Sequence, residues 1–118
     1  MFKIDETKAT GKLTVEIKDK DGKVKDTREL TNLVVSDGLD FIASRMKDAT
    51  ATAMSHMAIG TGSTAAASGD SALGTEAARQ ALTSTTVNNN AVSYVASFAA
   101  GTGTGAITEA GIFNASSA

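Results

Sequence analysis

Gly11-Lys12-Leu13-Thr14-Val15-Glu16-Ile17-Lys18-Asp19-Lys20-Asp21-Gly22-Lys23-Val24-Lys25-Asp26-Thr27-Arg28-Glu29-Leu30 is the stretch that decides the fold class. Leu13, Val15 and Ile17 alternate with Lys12, Thr14, Glu16 and Lys18, the period-two pattern of a strand with one apolar and one polar face. Asp19-Lys20-Asp21-Gly22 reads as a tight turn, because Asp-Gly accepts the positive φ angles a hairpin needs. A second strand is predicted over residues 23–30. The mixed charges from Lys18 to Glu29 fit a solvated hairpin face, with a docking patch for a charged partner as the other reading.

Outward from this hairpin, Leu33-Val34-Val35 continues as an apolar run, expected to be a strand buried on both faces. Leu39, Ile42, Ala43 and Met46 then fall at i, i+3, i+4 and i+7, which predicts one helix with a single apolar stripe. Ser36 or Asp37 would cap its start; Asp40 suits the positive end of the helix dipole, and Arg45 and Lys47 the negative end. Residues 49–53 read as a linker, 54–59 as a strand entering Gly60-Thr61-Gly62, 60–70 as a long loop, and 71–79 as a short helical turn. Strands over 82–87 and 91–99 flank Asn88-Asn89-Asn90, a hairpin turn, since Asn tolerates left-handed backbone. The glycine loop 101–105 leads to an edge strand over 109–114. The expected fold is mainly β with one short α-helix, hairpin-rich, forming a β-sandwich or barrel-like sheet in an oligomer. Residues 1–10 are expected to be an extended arm. Residues 11–118 then form a single domain, with the charged hairpin and helix in 11–48 and a neutral β region in 49–118.

Composition explains the oligomer. Hydrophobic residues make up 42% of the 118, but aromatics only 4%, and there is no Trp, so the side chains that dominate core energetics are scarce. Ala, Gly, Ser and Thr supply 47 of the 70 residues after Asp48. Such a strip makes no thick core, although it lets strands or subunits approach closely. Burying surface against neighbours is the usual remedy for a small domain so built. Charge is equally uneven. Beyond Asp48 the only ionised side chains are Arg79, Asp70, Glu76 and Glu109. A net charge of −2 argues against nucleic-acid binding. The N-terminus lacks a signal-peptide stretch and no run is long enough for a membrane span, so a soluble chain that is not exported is expected.

Few residues invite chemistry. Gly60-Thr-Gly62-Ser-Thr-Ala65 fits the dinucleotide fingerprint in outline, but the helix and distant acid that give it meaning are missing, so a plain loop is the better reading. Gly69-Asp70-Ser71 has the outline of a nucleophile block, yet the sole histidine, His56, lies in an apolar strand. Ser71 or Asp70 as a cap is the simpler assignment. His56 is expected to be structural, a symmetric metal site being the alternative. Asp19-Lys20-Asp21-Gly22 starts like a calcium loop, but its twelfth position is Leu30 where a glutamate is required. Asn114-Ala115-Ser116 is formally a glycosylation sequon and means little without export. No catalytic residue, cofactor or metal is expected. Glu76, Arg79 and Glu109 are expected to form a structural ion pair, with Arg79 bridging Glu76 or Glu109 and pinning the long loop to the final strand, since an isolated ion in so neutral a region is costly.

The stretch from Ser55 to Arg79, with Gly60-Thr61-Gly62, Asp70, Leu73-Gly74-Thr75-Glu76 and Arg79, resembles a pattern of tailed-phage virion proteins. Thr108-Glu109-Ala110-Gly111-Ile112-Phe113 is similar to the segment that closes it, and Asn32-Leu33-Val34 with Gly38 to the one that opens it; together they span residues 30–115. The resemblance implies a non-enzymatic virion structural protein, assembled in the host cytoplasm. Its partners would be further copies of itself, for instance in a trimer, and the major capsid protein or other virion proteins, with no direct nucleic-acid or membrane contact. A head decoration or cement protein is the leading expectation, because a short chain without heptads or shaft repeats suits a capsid clamp better than a fibre. Residues 3–10 would extend over a neighbour and order on binding. A tail-fibre, collar or baseplate module for host adhesion is the alternative.

Overall fold

The computed structural model describes residues 9–117. In chain order the elements are β1 (Gly11–Lys18), β2 (Val24–Asn32), α1 (Ser36–Lys47), β3 (His56–Gly60), β4 (Glu76–Ala81), β5 (Ser84–Asn88), β6 (Ala91–Val95) and β7 (Glu109–Phe113). Among the described residues the protein is thus mainly β with a single helix. Its strands form three separate antiparallel sheets, β1-β2, β4-β3-β7 and β5-β6, and do not close into a barrel. Among the described residues the chain divides into two compact units, residues 9–47 with 66–70, and residues 48–65 with 71–117. The predicted arm falls, for residues 1–8, outside the described residues.

In the first unit the hairpin forms around Asp19. Its backbone N–H donates to the Lys23 carbonyl at 2.9 Å, and its Oδ1 accepts the N–H groups of Asp21 and Lys23 at 2.9 and 3.0 Å. Gly22 takes φ +81°, which a side chain would resist. Leu13 opposes Leu30 and Glu16 opposes Thr27; beyond Ile17, which opposes Asp26, the register slips, so that Lys18 meets Val24 and Lys25 bulges.

Leu33-Val34-Val35 is not the predicted buried strand. β2 ends at Asn32 and Leu33 is exposed. The Val35 carbonyl accepts the Leu39 N–H at 3.0 Å, so this run leads into α1, and a carbonyl committed to a helix is lost to a ladder. Val35 therefore stands at the N-cap position in place of Ser36 or Asp37, and Asp37 lies in the first turn, where the dipole favours it. No residue of α1 is buried. Met46, in the predicted stripe, is 77% exposed.

In the second unit β3 is the central strand, with β4 on one side and β7 on the other. The predicted helical turn over 71–79 does not form: residues 71–75 are irregular and Glu76 opens β4. The β3–β4 register explains how strand and spacing coexist. Ile59 opposes Ala78 but Gly60 opposes Glu76, which leaves Ala77 as an extra residue. A bulge of this kind brings two residues three apart onto one side, where a regular strand would put them on opposite faces. The Asn hairpin turns through Asn89 at φ 54°, and β6 stops at Val95, short of the predicted end at Ala99. Among the described residues, the only hydrophobic side chain that is fully buried is Ala58 in the middle of β3, at 0% exposure.

Candidate functional site

Two clusters in the second unit tie its loops to its sheet. The first is built on Glu109, where β7 begins opposite Gly60. Its Oε2 accepts the N–H groups of Gly62 at 2.6 Å and Thr75 at 2.8 Å, and its Oε1 accepts that of Gly74 at 2.7 Å. Thr108 adds its own bonds, Oγ1 donating to the Gly62 carbonyl at 2.6 Å and its N–H to the Gly60 carbonyl at 3.0 Å. Thr61 N–H donates to the Thr75 carbonyl at 2.9 Å. The two ends of the loop 61–75 are thereby held on one carboxylate. Glycine is required here for close approach, because a Cβ at Gly60 or Gly62 would overlap Glu109 Oε2. The Thr75 amide, reinforced by those of Gly74 and Gly62, holds the Glu109 carboxyl below the usual carboxylate range, against an opposing desolvation effect.

The second cluster is built on Arg79. Its Nε and Nη2 donate to the two carboxylate oxygens of Glu76 at 3.0 and 2.7 Å, and its Nη1 donates to the Ala115 carbonyl at 3.0 Å. The guanidinium lies over the Phe113 ring, 4.1 Å from its centre. Arg79 opposes Ala58, and Ala58 opposes Gly111, so these three share one face of the sheet, and two small residues leave room for the arginine to cross. The Arg79 side chain is only 6% exposed. Paired, forked and stacked, it has the environment that makes a buried guanidinium tolerable.

Of the three residues expected to pair, then, Arg79 and Glu76 meet, while Glu109 is engaged with backbone amides. The loop is fastened to β7 by Glu109 directly, and Arg79 fastens β4 to Phe113 and Ala115. Phe113 and the three amides are not singled out by the sequence reading. Their signal lies in the glycines at 60, 62 and 74 and in a carboxylate set in a stretch almost without cations.

The other candidates fall elsewhere. His56 Nδ1 lies 2.7 Å from Ser55 Oγ, its own neighbour. Ser71 lines a surface depression of about 370 Å³ with Ala72, Arg79, Phe113, Asn114, Ala115 and Ser117. Asp70 does not cap a following turn: its Oδ2 accepts the N–H of Ala67, three residues before it, at 2.9 Å. Asn114 Nδ2 donates to the Thr52 carbonyl at 3.2 Å. Among the described residues no group of three His, Cys, Asp or Glu side chains is placed to hold a metal ion, and no helix is long and apolar enough to cross a membrane.

Against this small interior stand many uncovered apolar side chains. Val15, Ile17 and Leu30 are exposed on the first hairpin, Ile42 and Met46 on the helix, and Val92, Val95 and Val87 (74% exposed) on the β5–β6 hairpin. Val87 directly opposes Val92 there, which makes a paired apolar spot. Comparison with protein-family models, with curated proteins and with solved structures gives no match.

Proposed function

We propose that this chain is a non-enzymatic virion structural protein, a capsid decoration or cement protein that bridges major capsid subunits and stabilises a phage head. The observation that carries this reading is the imbalance between interior and surface. Among the described residues, one fully enclosed alanine stands against a set of large apolar side chains, from Val15 to Ile107, left in contact with water. Where such side chains stand together, as Val87 with Val92 across the β5–β6 hairpin and Val15, Ile17 and Leu30 on one face of the first, they mark an interaction site. Clamping requires no bond chemistry, only apolar area covered at junctions between other subunits.

The segments that carry the phage-virion resemblance support the same reading, because they are the ones that build the two clusters. Gly60, Gly62, Gly74 and Thr75 wrap Glu109; Glu76, Arg79 and Phe113 make the stacked ion pair. The pattern therefore specifies a latch that holds a small-residue sheet in shape.

Electron microscopy of particles carrying the labelled chain tests the proposal. Copies in the hundreds on the head, with binding to empty capsids, are expected. A handful of copies on the tail would replace it with the fibre, collar or baseplate alternative, and absence from particles would sink both.

A further inference from the structure

β2 has a free edge. Among the described residues it pairs with β1 alone, so every second N–H and C=O along it points away from the ladder, and the whole strand is exposed. A two-stranded ribbon is marginal by itself in water. Leu13, Val15, Ile17 and Leu30 share one face of this ribbon, and all but Leu13 are exposed.

The order of side chains on the edge determines what it can pair with. β2 runs Val24-Lys25-Asp26-Thr27-Arg28-Glu29-Leu30. Laid antiparallel against a copy of itself about Thr27, it sets Lys25 opposite Glu29 and Asp26 opposite Arg28. Every charge of this stretch meets its opposite, twice over. The neighbouring two-fold registers fail, because an axis at Asp26 or Arg28 sets two like charges face to face. β1 offers less: about Thr14 it matches Lys12 with Glu16 but leaves Lys18 unmatched, and about Val15 it opposes Lys12 to Lys18.

We propose that the outer edge of β2 is a docking surface for a second copy of this chain, in a two-fold antiparallel contact centred on Thr27. The contact makes a four-stranded sheet, β1-β2-β2-β1, with the Leu13, Val15, Ile17 and Leu30 faces of both copies on the same side of it and the Asp26 and Arg28 rows between them. Charges on an open edge, and a bulge such as that at Lys25, also serve to guard edges against pairing. The sign order separates the two roles: a guard repels its own copy, and this order attracts it. The inference rests on the hairpin alone and is independent of the virion reading.

Charge exchange in the full chain is the test. Lys25→Glu sets a carboxylate against Glu29 of the copy, and Glu29→Lys sets an ammonium against Lys25. Each alone is expected to weaken self-association roughly tenfold or more in sedimentation equilibrium. Mixed together, the two variants are expected to form a heterodimer, and the double variant K25E/E29K to regain wild-type association. Both side chains are exposed, so folding, followed by circular dichroism, is expected to hold. The chain has no cysteine, so Thr27→Cys supplies a thiol on the axis that oxidises to a linked dimer, while Thr31→Cys, off the axis, does not. A wild-type chain that stays monomeric at every concentration, single variants that associate as tightly as wild type, or equal cross-linking of the two thiol variants would each overturn the proposal.

Discussion

Arg79 on β4 crosses β3 to stack on Phe113 of β7, its guanidinium carbon 4.1 Å from the ring centre, while the same group grips Glu76 through two hydrogen bonds. Substituting Arg79 by Ala leaves the Glu76 carboxylate without its cation and strips the cover from Phe113. A loss of about 2–4 kcal/mol in equilibrium unfolding is expected. Arg79→Lys, which keeps the charge but not the planar fork, is expected to recover less than half of that. Unchanged melting in both variants would show that the cluster contributes nothing.

The bulge at Ala77 makes that pair possible. Deleting Ala77 removes the bulge but leaves Glu76 and Arg79 two positions apart, on one face of a regular strand, with their β3 partners unchanged. A double-mutant cycle between the two residues is expected to give a coupling of about 1–3 kcal/mol in the wild-type chain and to keep it in the deletion. Coupling that vanishes in the deletion would show that the pair needs the bulge itself and not only a shared face.

Glu109→Gln keeps one carbonyl oxygen and removes the charge; Glu109→Ala removes every acceptor for the amides of Gly62, Gly74 and Thr75. Limited proteolysis is expected to cut within residues 61–75 faster in both variants, and fastest in the alanine variant. A cleavage pattern that stays at wild type would mean that the loop holds itself.

Acid should reveal the same carboxylate. Its folded pKa is lowered, chiefly by the Thr75 amide, so its contribution is fully present above the ordinary glutamate value of about 4.3 and is lost as pH falls through the lower folded value. Melting temperature is expected to drop with pH below about 4.3 in the wild-type chain, and less steeply in Glu109→Gln. Parallel curves for the two would exclude Glu109 as a source of acid sensitivity.

Gly22 carries φ +81° with open space around it, so Gly22→Ala costs only backbone strain. A loss of about 1 kcal/mol in the hairpin is expected, with the amides of Asp19 and Lys23 exchanging faster with deuterium. Unaltered exchange would show that the turn tolerates a side chain.

The strands with local signals were legible in the sequence. Alternation at Leu13, Val15 and Ile17, the Asp-Gly turn and the Asn run each name their own geometry, because two residues of turn chemistry fix a hairpin. Leu33-Val34-Val35 misled, since an apolar triplet has no period and the helix that claims Val35 begins only beyond it. Glu76 and Arg79 misled in a more instructive way. Their spacing of three is the spacing of a helical turn, and an extra residue in a strand reproduces it. That one is present depends on how β3 and β4 register, which is set by residues far apart in the chain. The partner of Arg79 could be named from scarcity of charge, whereas Glu109 found its partners in backbone, which composition does not reveal.

With Ala58 as the lone fully enclosed hydrophobic side chain among the described residues, little oily area is left for an isolated copy to release when it melts. Calorimetry on a dilute sample should therefore record a shallow, broad endotherm with a small heat-capacity step, and urea should act on it with a gentle slope. Sharpness of melting, in a molecule made this way, would be a property acquired in company.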